Sequence, residues 1–283
     1  MIRKMEINEP IFIIGNNRSG TNILYKLFTE HQDTAYFENY SSRYYKRPNM
    51  FKFIPLLKKY QKFRYGIDRP KRSEGWVWDR FYTLLEYLDE SHVTEEIKNY
   101  YYNAIKYQLK AFNASRFVSS NPRSSMRVKW LNQMFPDAFY IVISRDKKSV
   151  ISSMYQVITQ KRKKWGDKFL EPPSTLRGYG HVKKILDENS SDMQTCIDFY
   201  ELYQKTLKKD LPLISDRTIH VTYEDFVKDS KNTIKKLYKF THLEWYEKLE
   251  KLIPEHVDLN RNDRWQLLPE VEKKVLLEYM KKI

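Results

Sequence analysis

The chain has 283 residues, is 41% hydrophobic and carries a formal net charge of +15, from 51 Lys+Arg against 36 Asp+Glu. That length suits one large domain, 1–283. The single cysteine, Cys196, excludes an internal disulfide and fits a reducing compartment. The basic balance favours an anionic partner without choosing among nucleic acid, acidic lipid headgroups, anionic glycans and a polyphosphorylated cofactor. The first residues, MIRKMEINEP, lack the apolar core of a signal peptide, and no apolar run approaches the ~18 residues of a membrane span. The expected location is cytoplasmic, with peripheral contact at the inner membrane face compatible with the charge.

The apolar run Ile11 to Ile14, ended by Gly15, predicts a buried parallel strand. Ile23, Leu24, Leu27 and Phe28 then mark a helix face. Thr34 to Phe37 reads as a second strand. Residues 74–90 are expected to be helical, with Trp78, Phe81, Leu84, Leu85 and Leu88 at helical spacing, and so are residues 94–112. A strand at Phe117 to Ser119 and a short helix at Met126 to Met134 precede "AFYIVIS", 138–144, the second strong buried strand. Helices at 147–164 and 190–209, a strand at Ile219 to Thr222, and helices near 229–240, 244–251 and 269–281 complete the pattern. Such alternation predicts an α/β fold with a central parallel sheet covered by helices on both faces.

One segment interrupts the alternation. Residues 43–72 hold eleven Lys/Arg and a single acid, Asp68, among Tyr44, Tyr45, Phe51, Phe53, Tyr60, Phe63 and Tyr65. It reads either as an insertion that meets an anionic acceptor or membrane surface, or as a solvated basic face over packed aromatics.

Two constellations carry the chemistry. In the first, Gly15 and Gly20 keep the glycine spacing of a nucleotide-binding loop between strand and helix. Thr21 stands at the lysine position and Asn22 at the Ser/Thr position that would ligate magnesium. A cation remains three residues earlier, at Arg18. Backbone N–H groups and the helix dipole make such a turn an anion site; an ordinary strand–turn–helix with a surface arginine fits the same letters. In the second, Arg145 stands at the carboxyl end of the 138–144 strand, where ligands bind in open α/β sheets, with Ser149, Ser152 and Ser153 on the helix that follows. It suits a second phosphate, and Arg145–Asp146 equally suits a strand-end ion pair.

Together these residues resemble the sulfotransferases that use 3′-phosphoadenosine 5′-phosphosulfate (PAPS), in particular bacterial carbohydrate-type members. Arg18-Ser19-Gly20-Thr21 is similar to their 5′-phosphosulfate loop. Phe135-Pro136-Asp137-Ala138, a strand, Arg145-Asp146 and Ser153 are similar to their 3′-phosphate motif. "EGWVWDRF" (74–81), "NPRSSMRVKWLNQMFPDA" (121–138), "VTYEDFVKDSKNTIKKLYKF" (221–240) and "NDRWQLLPEVEKKV" (262–275) extend the likeness over nearly the whole chain.

The resemblance implies an enzyme that moves a sulfuryl group from PAPS to a hydroxyl of a carbohydrate or glycolipid, in line and without a metal. It implies Arg18 on the 5′-phosphate and bridging oxygen; Ser19, Gly20, Thr21 and Asn22 as donors to the 5′-phosphate; Arg145 and Ser153 on the 3′-phosphate; and Arg264, with Arg261, over the 3′-phosphate and adenine side. Tyr223 would line the adenine pocket. Glu38, in "YFENY", is the implied general base, with His31 as the alternative base or a helix C-terminal cap. The chain departs from the pattern at Asn22, at Lys147-Lys148 and in the bulk of Asn16-Asn17. The acceptor walls are expected from 43–72 and 160–185, with Trp165, Phe169 and Tyr179 against sugar rings or in the core. Glu74 would orient a sugar or sit at a helix start. The His residues show no metal spacing. A P-loop small-molecule kinase, with Asp146 as magnesium ligand, and a single-strand nucleic-acid binder using 43–72 are the alternatives; no nucleic-acid reader motif appears.

Overall fold

The computed structural model describes residues 6–58, 75–82, 86–165, 185, 191–253 and 259–282. Five strands, β1 (Ile11–Gly15), β2 (Thr34–Ala35), β3 (Arg116–Ser119), β4 (Phe139–Ser144) and β5 (Thr218–Thr222), form one sheet in the order β2-β3-β1-β4-β5. Every pairing is parallel, with Ile11 to Gly15 in register with Phe139 to Ile143. The expected α/β fold is therefore present. From β1 the chain crosses to the edge strand β2, comes back to β3 between the two, and then adds β4 and β5 in turn on the other side of β1. The order reverses between β1 and β4, so the crevice for a ligand lies beyond the carboxyl ends of those two strands.

The helices are α1 (Thr21–Thr29), α2 (Asn39–Arg43), α3 (Ile54–Lys58), α4 (Gly75–Trp78), α5 (Glu95–Phe112), α6 (Val128–Met134), α7 (Lys147–Trp165), α8 (Asp192–Asp210), α9 (Tyr223–Lys228), α10 (Ser230–Phe240) and α11 (Glu270–Lys281). Side chains alternate across a strand, and β1 is apolar on both faces because both are covered. Ile11 and Ile13 pack with Leu24 and Phe28 of α1 and with Leu237 and Tyr238 of α10. Phe12 and Ile14 pack with Tyr101 and Ile105 of α5, Trp130 of α6 and Leu207 of α8. The abundance of aromatics is spent largely in this second layer. Trp78 stacks on Tyr101 at 5.0 Å between ring centres, and Trp130 meets Tyr101 edge-on at 5.2 Å. A third cluster joins α7, α8 and α11 through Ile151, Met154, Met193, Cys196, Ile197 and Leu276.

Cys196 is fully buried there. Burial first, then the Asp192 and Glu272 charges, push its thiol far above the ordinary range. Iodoacetamide at pH 8 is expected to leave it unlabelled in the native protein and to label it on unfolding; labelling at native conditions would contradict the packing.

The sequence pattern misplaces one element. Helical spacing predicts a helix across 74–90, yet the described residues are helical only over Gly75–Trp78, with 86–89 in neither helix nor strand and a 3-10 turn at Glu90–His92. The reason is tertiary. The Trp78 carbonyl accepts from the Tyr101 hydroxyl (2.9 Å) and from Arg127 Nη1 (3.1 Å), and the Leu88 N–H donates to the Met126 carbonyl (3.1 Å). These partners replace the i→i−4 ladder that a continuing helix needs. The predicted helix at 244–251 is likewise a 3-10 turn, Glu247–Leu252, and the Met126 to Met134 helix starts at Val128 after a 3-10 turn at Pro122–Met126.

The described half of the 43–72 segment matches the reading of a basic face over packed aromatics. Phe51 and Ile54 are buried in the aromatic layer, while Arg43, Lys46, Arg47 and Lys52 are exposed. The remainder of that segment, Glu74, Phe169 and Tyr179, and the side chains of Trp165 and Arg261, lie outside the described residues. No helix among the described residues is long and apolar enough to cross a membrane.

Candidate phosphate-binding site at the carboxyl ends of β1 and β4

The turn from β1 into α1 occupies the crevice. Gly15 is needed where the strand ends: a Cβ there would meet the Ile143 carbonyl oxygen at 2.3 Å. Arg18 takes a left-handed backbone (φ +73°), and Gly20, the N-cap of α1, has φ +106°. A Cβ on Gly20 would meet the Tyr223 ring at 2.7 Å. The loop is closed from within, because Ser19 donates to the Asn16 carbonyl from its N–H (3.2 Å) and its hydroxyl (2.7 Å). Thr21 is buried at the first position of α1, and Asn22 is exposed beside it. The first N–H groups of a helix have no partner within it, so this end presents donors and a positive dipole to an anion.

Arg145 closes the other wall. Its Nη1 donates to the Arg18 carbonyl (3.4 Å), its Nε to the Asn262 side-chain oxygen (2.8 Å), and its guanidinium lies 4.3 Å from the centre of the Tyr223 ring. Arg18 Nε in turn donates to the Ser153 hydroxyl at 2.9 Å. Residues assigned to opposite ends of one ligand, Arg18 and Ser153, are thus in contact. Desolvation first, and the Arg18 charge as well, lower the Arg145 pKa against the opposing pull of Tyr223 and Glu224. An anion placed between the two guanidinium groups would relieve that repulsion.

Asp146 is not an ion-pair partner of Arg145. Its carboxylate caps α7, accepting from the Ser149 N–H (2.8 Å) and hydroxyl (2.6 Å). Among the described residues no group of three or more His, Cys, Asp or Glu is arranged to hold a metal ion.

The segment Leu259–Leu267 does reach this wall, by a residue the sequence reading did not name. Asn262 donates to Glu224 Oε1 (2.7 Å), accepts from Arg145, and its carbonyl accepts from the Ser149 hydroxyl (2.9 Å). Arg264 is exposed on the same segment. Nothing in the one-dimensional pattern singles out an asparagine between charged neighbours; only the approach of the segment to β4 and β5 does.

Glu38 sits just past β2 on the same carboxyl edge, fully buried. The Gln108 amide, in the orientation that satisfies both groups, donates to Glu38 Oε2 (2.9 Å) and to the Tyr36 carbonyl (3.2 Å). Since β3 separates β2 from β1, roughly 10 Å lies between their carboxyl ends. His31 is elsewhere. It follows the C-terminus of α1, on the order of 14 Å of helix from the loop. Its Nδ1 accepts from the Asp33 N–H (3.1 Å) and its Nε2 meets the Glu244 carbonyl (2.8 Å), with the ring edge-on to Tyr238 and Tyr246. Both nitrogens are committed to backbone, which removes His31 as the alternative base.

The bulk of Asn16 and Asn17 is taken up behind the loop. Asn17 Nδ2 donates to the Tyr203 hydroxyl (3.4 Å). Asn16, 3% exposed, borders a cavity of about 320 Å³ between β4, β5 and α8, walled by Val142, Leu207 and Leu211 with Gln204 and Lys208 beside them.

With this geometry in place, the comparisons agree. Residues 10–247 match the Sulfotransferase family. Sulfotransferase STF9 of Mycobacterium avium superposes with a TM-score of 0.59 at 14% identity, over 98% of this chain and 77% of that one. The sulfotransferase domain of the curacin biosynthetic pathway gives 0.56 at 14% identity, over 98% of each chain. That of the Synechococcus PCC 7002 olefin synthase gives 0.53 at 14% identity, over 99% and 96%. No curated protein sequence matches significantly. A nucleotide-type loop without the kinase lysine, a second arginine at the switch point and a family match over most of the length lead to one conclusion: the chain belongs to the sulfotransferase family.

Proposed function

We propose that this sulfotransferase-family enzyme uses PAPS, the donor its family implies, to sulfate a hydroxyl of a carbohydrate or glycolipid, without a metal. The observation that carries the reading is the meeting of two cationic loops: Arg18 on Ser153 at 2.9 Å and Arg145 on the Arg18 carbonyl at 3.4 Å. The residues suit a doubly phosphorylated adenosine. Arg145 is held by neutral oxygens and a ring face, which leaves it receptive to an anion.

PAPS supplies a sulfuryl group activated by its bond to phosphate. Arg18 and the N–H groups of Gly20, Thr21 and Asn22 hold the 5′-phosphate side and stabilise charge where the departing phosphate gains it. Arg145 and Ser153 hold the 3′-phosphate, with Tyr223 beside the adenine; Arg264 covers that side from the exposed segment next to Asn262. Glu38 receives the proton of the acceptor hydroxyl. Its full burial supports a protected base that the acceptor meets only when it displaces the Gln108 contact. The exposed cations at 43–52 and the net charge of +15 support an anionic glycan or a membrane-borne acceptor, and peripheral attachment to an acidic bilayer.

The test is thermal. Adenosine 3′,5′-bisphosphate in EDTA is expected to raise Tm, since a ligand at 100 times its Kd adds ~2.7 kcal/mol to stability. Stabilisation by Mg-ATP alone would favour a kinase instead. Glu38→Gln is expected to lower kcat by roughly 10²–10⁴ while leaving bisphosphate affinity unchanged; an unchanged kcat would remove Glu38 as the base.

A further inference from the structure

The end of β1 is held by a side chain that belongs to neither loop of the donor site. The parallel ladder between β1 and β3 covers only Ile11 and Phe12, whereas the ladder to β4 continues to Gly15. Gly15 therefore reaches the mouth of the loop with no strand on its β3 side. One hydroxyl stands in for that strand. Ser125 Oγ accepts from the Gly15 N–H at 3.0 Å and donates to the Gly15 carbonyl at 2.9 Å. Ser125 is fully buried, on the 3-10 turn Pro122–Met126 that leaves β3.

That turn is itself anchored. Arg123 and Arg127 both pair with the Asp79 carboxylate, the latter at 3.1 Å, and Arg127 also donates to the Trp78 carbonyl at 3.1 Å. Burial and then the Arg127 charge pull the Arg123 pKa down to about 10, so the pair is held together by one shared carboxylate in a poorly solvated place. Asp79 directly follows α4 in the chain. The clamp on Gly15 thus rests on a carboxylate more than sixty residues away in the chain.

We infer that Ser125 is a positioning residue for the phosphate loop: its hydroxyl fixes both polar groups of Gly15, and so the direction in which residues 16–20 leave the sheet. The physical reason is geometric. A glycine has no side chain to hold its own orientation, and its permissive backbone would otherwise let the loop swing about the end of β1. Arg18 and the Gly20 N–H reach an anion only from the orientation that Ser125 sets. The inference rests on the reading of 15–22 as the loop for the 5′-phosphate.

The experiment compares wild type, Ser125→Ala and Ser125→Thr. It measures the Kd for adenosine 3′,5′-bisphosphate, the KM for PAPS, and residue-resolved hydrogen exchange. In wild type the Gly15 amide is expected to exchange as slowly as those of β4. Ser125→Ala is expected to weaken bisphosphate binding and raise the PAPS KM by ten-fold or more. It should speed exchange at residues 15–20 and leave residues 139–144 protected. Ser125→Thr, which keeps the hydroxyl, is expected to recover most of the affinity. Equal affinity in wild type and Ser125→Ala would overturn the inference. So would uniformly faster exchange across all strands, which marks a merely structural role, or a fast-exchanging Gly15 in wild type, which needs no variant to observe. If wild type itself fails to bind the bisphosphate, the loop reading falls, and that result is distinct from a failure of Ser125 alone.

Discussion

Arg145→Ala is expected to abolish the stabilisation by adenosine 3′,5′-bisphosphate while leaving the unliganded protein close to its original Tm. The side chain is half-buried, and its partners are the Asn262 amide oxygen, the Arg18 carbonyl and the Tyr223 ring, with Glu224 nearby. Desolvation and the neighbouring Arg18 charge both disfavour its cationic form. Its removal therefore relieves a repulsion as well as breaking contacts, and the two effects oppose each other. With a phosphate present the balance changes. A bidentate guanidinium–phosphate contact is among the strong hydrogen bonds, and losing it should cost roughly 3 kcal/mol, or ~100-fold in Kd. Arg145→Lys should recover little, because a point charge cannot hold Asn262 through Nε and grip a phosphate through the fork at once. Calorimetric titration of the three proteins with the bisphosphate checks this. Retention of wild-type affinity by Arg145→Ala would place the 3′-phosphate elsewhere.

The second large effect falls on Gly15→Ala. Gly15 has φ +154°, and the added methyl would sit 2.3 Å from the Ile143 carbonyl oxygen and 2.9 Å from the Ser19 hydroxyl. The first of these is backbone of β4, which cannot rotate away. The sheet must part where β1 pairs with β4, or the turn must move. Overpacking of this kind costs roughly 1–3 kcal/mol and a forced backbone a similar amount. Together they predict a fall in Tm on the order of 5–10 °C, with donor binding lost even in the fraction that stays folded. Gly20→Ala meets a ring rather than backbone, at 2.7 Å from Tyr223 Cδ2. It should cost less stability and nearly as much affinity, since Tyr223 must leave its place under Arg145. Differential scanning calorimetry together with bisphosphate titration separates the two; a Gly15→Ala protein with unchanged Tm would contradict the close approach of β1 to β4.

The periodicity of apolar residues determined most of the architecture. A parallel strand covered on both faces has to be apolar throughout, so Ile11–Gly15 and Phe139–Ser144 announce themselves without any partner in view. Helices such as Glu95–Phe112 and Asp192–Asp210 carry their signal in their own turns and caps, Thr94 and Ser191. The two candidate loops were legible for the same reason. A glycine spacing and an arginine at a strand end are local demands of local geometry. Contacts between segments distant in the chain leave no such mark. The helix expected over 74–90 is broken because Tyr101 and Arg127 claim the Trp78 carbonyl. His31 is consumed by the backbone of Asp33 and Glu244, and Asn262 is brought to Arg145 across 117 residues. The hydroxyl of Ser125 meets Gly15 only because β3 ends early beside β1. A hydrogen bond is fixed by where its two ends arrive in space, whereas a buried face is fixed by composition. For that reason the strands and helices could be read from the letters, and the bracing of the site waited on the packed chain.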